Sequence, residues 1–157
     1  MAVALMSAEL AIWTVAPGST YLRIVMPPDA VDDLAIDLDL FLYDPSNNQV
    51  ASSTSGGTNE FIDLVFPGPG NWTLYVHGWQ TAGPSADYRM HHWVLPNTTG
   101  GSLVVDSAPA SAAIGESGTV DVSWSGATSG EWHLGVVGHL GAGGTSIGGT
   151  IVEVDNR

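Results

Sequence analysis

The sequence predicts an all-β chain: an antiparallel jelly-roll-like β-sandwich over residues 1–97, then a small Ig-like or fibronectin-like β-sandwich over residues 98–157. Three observations carry this expectation. Turn-forming residues, among them 20 Gly and nine Pro, punctuate short apolar runs about every ten residues, the spacing of sandwich and barrel strands. Residues 36–43 alternate strictly between apolar and mixed positions, the period of a strand. No stretch carries the 3.6-residue periodicity of a helix.

Strands are expected at residues 10–16, 20–26, 36–43, 50–53, 60–66, 71–79 and 86–95. Each ends on residues that stop a strand for a backbone reason: Pro17-Gly18, Pro27-Pro28, Asp44-Pro45 with Asn47 and Asn48, Gly56-Gly57, Pro67 to Gly70, and Gly83-Pro84. Asp44 is expected to form its turn, its carboxylate bonding the backbone two residues ahead. In residues 36–43, Ile36, Leu38, Leu40 and Leu42 share one face and must be core. Asp37, Asp39, Phe41 and Tyr43 share the other, where the aspartates need solvent or a cation, because a buried unpaired carboxylate is costly.

The small polar run Pro96-Asn97-Thr98-Thr99-Gly100-Gly101 reads as a linker and sets the boundary. Beyond it, strands are expected at residues 103–106, 111–114, 119–125, 132–140 and 149–154. So few short strands make a marginal core.

Sixteen acidic side chains face three arginines and no lysine, a formal charge of −13. A nucleic-acid partner is excluded by that balance, since nothing could neutralise a run of phosphates. With no cysteine, disulfides, thiolate chemistry and Cys-containing zinc sites are excluded as well. The opening MAVALMSAEL is short, lacks a basic flank and contains Glu9, so it is expected to be neither a signal peptide nor a membrane span. A piece cut from a longer precursor would begin this way.

Catalytic signatures are missing. There is no Gly-x-Ser-x-Gly elbow and no His-Glu-x-x-His, and Gly144-Thr145-Ser146 is followed by Ile147-Gly148-Gly149, so it is expected to be a hairpin loop and not a nucleophile opening a helix.

Two groups of residues could carry function. Asp32, Asp33, Asp37 and Asp39 form the best metal cluster, and calcium is the ion such hard oxygens would take. The competing reading is that the loop aspartates cap turns and the strand aspartates face water. The second group is an aromatic face on an expected hairpin joining residues 71–79 to 86–95. Tyr75, His77 and Trp79 share one side of its first strand, with Arg89, His91 and Trp93 on the second. Such a face can bind a ligand, dock the second module, or lie buried in a closed sandwich. His91 and His92 point to opposite faces and cannot easily share a metal.

The stretch DLDLFLYDPSNNQVASSTSGGTNEFIDLVFPGPGNWTLYVHGWQ, residues 37–80, resembles the pre-peptidase C-terminal domain of secreted bacterial proteases. The matching pieces are the Asp-Leu-Asp-Leu strand, the Asp-Pro turn, the Ala-Ser-Ser strand and the Pro-Gly turn leading into Tyr-Val-His-Gly. The resemblance continues through SADYRMHHWVLP, GTVDVSWSG, WHLGVVGHL and GGTIVEV to the closing segment of long subtilisin-like proteases. The departures are Glu131-Trp132-His133, where an aromatic or arginine is expected, and the high acidic tally. The resemblance implies a non-catalytic C-terminal region of a secreted subtilisin-like serine protease, serving stability, secretion or binding of a protein substrate. Its implied partners are the parent's catalytic domain and an insoluble protein substrate, with no nucleic acid and no membrane; calcium binders occur among such domains. The alternative is a freestanding carbohydrate- or matrix-binding module of an extracellular protein.

Overall fold

The computed structural model describes residues 2–4 and 8–157; the reading of the opening decapeptide falls partly outside them. The chain divides into two compact units, Met1–Asn97 and Thr98–Arg157. The described residues form antiparallel strands with a single 3-10 turn at Ala142–Gly144, so the chain is all-β. No described helix is long and apolar enough to cross a membrane.

In the first unit, β1 (Ala2–Ala4) pairs with β8 (Ser85–Asp87) as a small outlying ladder. The strands β2 (Ala8–Val15), β7 (Gly70–Gln80), β4 (Asp37–Tyr43) and β5 (Gln49–Ser53) form one sheet in the order β2-β7-β4-β5. The strands β6 (Glu60–Val65), β3 (Tyr21–Met26) and β9 (His91–Leu95) form the other, in the order β6-β3-β9. The chain passes back and forth between the two layers, as in a jelly-roll-like sandwich.

Period-two alternation decides which side chains fill the space between the layers. From the four-stranded sheet come Val15, Leu38, Leu40, Leu42, Trp72, Leu74 and Val76, and from the three-stranded sheet Leu22, Ile24, Met26 and Ile62, all buried in one cluster. Trp72 is held there because its indole nitrogen donates to the Gly68 carbonyl at 2.8 Å, which satisfies its one polar atom. Gly70 opens β7 at a positive φ of 130°, and a Cβ there would lie 2.8 Å from the Pro45 ring, so this close approach requires glycine. Asp44 closes the β4–β5 turn as its sequence suggests: its carboxylate accepts from the Ser46 and Asn48 amides at 2.9 and 2.8 Å.

Two expectations need correction. Residues 71–79 and 86–95 do not form a hairpin. Both edges of β7 are occupied, by β2 and β4, while β9 pairs with β3 in the opposite sheet. The expected strand 86–95 is broken at residues 88–90, where Tyr88 turns into the core at 4% exposure and the Arg89 amide donates to the Ala30 carbonyl. The chain therefore crosses to the other layer instead of folding back. Residues 111–114 form no strand either; they lie in the connection between β10 (Leu103–Ser107) and β11 (Asp121–Trp124).

The second unit consists of two two-stranded sheets, β10-β11 and β12-β13, the latter joining Trp132–Leu140 to Ser146–Asp155. Leu103 lies over Gly135, where a Cβ would come within 2.6 Å of its side chain, so glycine lets the layers approach. The fully buried hydrophobic side chains of the chain all belong to the first unit, as a small core implies.

Candidate functional site

The outer face of the β2-β7-β4-β5 sheet is built by the residues that alternate with its core. Tyr75 stands in register with Leu10 on one side and Phe41 on the other, and Thr73 stands with Ile12 and Tyr43. Neighbouring strands place side chains about 5 Å apart, and the rings accordingly meet edge to face. Tyr43 and Tyr75 have ring centroids 5.3 Å apart, Phe41 and His77 6.3 Å. The Tyr43 hydroxyl donates to the Gln49 side-chain oxygen at 3.1 Å. Leu10, Ile12, Tyr75 and Trp79 are all exposed on this face.

At one end of the face the surface opens into a cleft of about 230 Å³ lined by Asp37, Asp39, Thr54, Ser55, Gly56 and Trp79. Local structure explains its shape. A bulge between Asp37 and Leu38 offsets β4 against β7. The loop after β5 is then tied alongside by two bonds, from the Gly57 amide to the Asp37 carboxylate at 3.1 Å and from the Leu38 amide to the Gly57 carbonyl at 3.0 Å. Trp79, 57% exposed, forms the opposite wall.

The charges in this corner are nearly all negative. Asp39 is only 9% exposed, and the His77 imidazole lies beside it, Nδ1 3.7 Å from the carboxylate. Burial, then the neighbouring charges of Asp37 and Glu60, push its carboxyl above the usual range, with His77 opposing. Glu60, fully buried at the start of β6, receives the Ser53 and Ser55 hydroxyls.

The structure thus redistributes both sequence-derived groups. Asp37 and Asp39 come together with His77 and Trp79 at one cleft. Asp32 and Asp33 stay exposed on the loop before β4, where the Asp33 carboxylate accepts from the Ala35 amide at 2.9 Å, a turn-capping role. Among the described residues no three acidic or imidazole side chains gather as a metal group. Arg89 lies outside the strands, its guanidinium donating to the Asp29 carbonyl. His91 and Trp93 stack at 6.0 Å on the outer face of the three-stranded sheet. On that same face the Arg23 guanidinium grips Asp63 through two bonds of 2.7 Å. His92, on the opposite face of the strand, stays exposed but lies against Trp13, with ring centroids 4.7 Å apart, and partial burial lowers its pKa. Sequence reasoning missed Glu60 and the 54–57 loop; the only signal for them was the Ser/Gly run that follows the Ala-Ser-Ser strand.

Gly144-Thr145-Ser146 runs from the end of the 3-10 turn into the first residue of β13. The first unit is a β-sandwich with an aromatic platform and an acidic cleft on one outer face. Residues 13–78 match the bacterial pre-peptidase C-terminal domain, all within the first unit. Domains of that family are non-catalytic accessory domains, typically at the C-terminal end of bacterial proteases, and they occur in secreted bacterial proteins. The matched span contains Asp37, Asp39, Tyr75 and His77 and ends one residue before Trp79.

Proposed function

We propose that the chain is the non-catalytic C-terminal accessory region of a secreted subtilisin-like serine protease, and that its first unit holds an insoluble protein substrate for the parent's catalytic domain. The observation that supports this reading is the outer face of the β2-β7-β4-β5 sheet within the pre-peptidase C-terminal match. There Tyr75 and Trp79 stand exposed beside half-buried Phe41 and Tyr43, more aromatic area than a solvated sheet face needs. Rings on a rigid sheet provide contact area at low entropic cost.

The test is retention of the intact chain on an insoluble fibrous protein, with cellulose and chitin in parallel. Retention on the protein, reduced in Trp79→Ala at unchanged melting temperature, is the expected result. Retention on the polysaccharides alone would replace this reading with that of a carbohydrate-binding module, which the same flat rings could serve. Incubation of the chain with casein is expected to yield no cleavage, and turnover would overturn the accessory role.

A further inference from the structure

We propose that the cleft between Trp79 and the Asp37–Asp39 edge is a receptor for the cationic side chain of a basic polypeptide segment, an arginine guanidinium or a lysine ammonium group. This rests on the reading of the first unit as a protein-binding module and names the chemistry it selects.

Four features of the corner point to an organic cation. Asp39 is mostly buried, has the His77 imidazole beside it at 3.7 Å, and borders the open cleft. A carboxylate so placed is costly unless a cation completes it. Beyond that imidazole the chain brings no permanent cation to the corner: it contains no lysine, and its three arginines pair elsewhere, Arg23 with Asp63, Arg89 with Asp29 and Arg157 with Asp155. One wall of the cleft is the exposed indole of Trp79, a ring whose face attracts a guanidinium or ammonium group and covers its alkyl stem. Finally, a space of about 230 Å³ suits a side-chain head group.

A hard metal ion matches less well. Calcium takes six to eight oxygens, roughly 2.3–2.6 Å away, whereas the cleft presents two carboxylates, one already accepting from the Gly57 amide, beside Thr54, Ser55, Gly56 and an indole that contributes no ligand, and no three acidic or imidazole side chains gather there among the described residues. A guanidinium can instead span both carboxylates with its planar fork. Thr54, Ser55 and Gly56 line the remaining side, where the main chain of an extended peptide could bond. The overall charge of −13 adds steering of a basic partner at low ionic strength.

The experiment is a titration of the intact, isotopically labelled chain with acetyl-Gly-Arg-Gly-amide, followed by NMR at the Trp79 indole N–H and the Gly56 and Gly57 amides. The citrulline peptide, a neutral isostere, and calcium chloride are run in parallel. Saturable shifts confined to those signals are expected with the arginine peptide, weakened about tenfold or more by citrulline and by 500 mM salt. Trp79→Ala and Asp39→Asn should each weaken binding by about three- to tenfold, while Trp124→Ala, in the second unit, should change nothing. Absence of saturable shifts, equal binding of the citrulline peptide, or calcium moving the same signals and excluding the peptide would each overturn the inference. If the peptide fails while the chain is still retained on fibrous protein, the cleft is wrong and the accessory reading stands. If the peptide binds as expected and retention fails, the reverse holds.

Discussion

Replacement of Arg23 by Met should destabilise the first unit by about 2 kcal/mol, an amount that follows from the geometry of the pair it breaks. The Arg23 Nε and Nη2 atoms each donate to one Asp63 oxygen at 2.7 Å, and the Nη2 also reaches the Tyr21 hydroxyl at 3.2 Å. Charge-assisted bonds contribute about 1.5–3 kcal/mol each to stability, and exposed pairs far less. The side chains here are 17% and 28% exposed, so the two bonds together are placed at the lower end of that range. For a unit of this size the loss corresponds to a melting decrease of roughly 10 °C. Arg23→Lys keeps the charge and loses the fork, and should recover about half. The deficit should also depend on pH. Burial pulls the Asp63 carboxyl upward, but the hydrogen bonds from Arg23 and Tyr21 and the charge of Arg23 outweigh it and hold it below the usual range. A folded-state pKa that is depressed gives stability present above the unfolded value near 4 and lost as pH falls through the folded one. Melting of wild type and Arg23→Met, followed by circular dichroism from pH 7 to pH 2, should therefore converge at the acid end. A difference under 1 °C at pH 7, or one that stays constant to pH 2, would refute the reasoning.

The two tryptophans once expected on a single hairpin should now separate. Trp93, half-buried on the three-stranded sheet beside Arg23 in register, should cost about 2 kcal/mol on replacement by Ala, whereas the exposed Trp79 should cost under about 0.5 kcal/mol; differential scanning calorimetry of both variants decides, and equal losses would contradict the sheet assignment. Asp39→Asn should raise the melting temperature at pH 7, because the folded state disfavours the charge that burial, Asp37 and Glu60 surround. The sign follows from a folded pKa raised above the unfolded one: the penalty is full at neutral pH and vanishes as pH falls below the ordinary carboxylate range, so the variant's advantage should disappear there.

Much of the fold is legible in the sequence because alternation and turn chemistry act locally. Leu38, Leu40 and Leu42 could only be core on a strand, and they are fully buried; Asp44 could bond only its own turn, and it does. Sheet partnership is a different matter. Whether residues 86–95 fold back on β7 or cross to β3 depends on which edges are free, and β7 has none. That occupancy is set by β2 and β4, distant in sequence, and local pattern carries no trace of it. The inward turn of Tyr88 is equally non-local, since it depends on the loop around Ala30 that receives the Arg89 amide.

The candidate site shows the same division. Its residue types were visible in the sequence, but as two separate groups, because Asp37 and Asp39 lie about forty residues from His77 and Trp79 and only antiparallel pairing of β4 with β7 makes them neighbours. The aspartate face of β4 was expected to see solvent or a cation, and the structure sets Asp39 at the edge of an open cleft with the His77 imidazole 3.7 Å away. A module selected for stability alone would have little reason to keep that carboxylate, since a neutral or apolar side chain would remove the repulsion among Asp37, Asp39 and Glu60. Retaining three acids at one corner, with every arginine engaged elsewhere, places a cost on the free protein that the proposed bound cation would recover. The cost and the proposed function are therefore two readings of one electrostatic arrangement, and Asp39→Asn should move them in opposite directions, toward a more stable chain that binds arginine peptides less well.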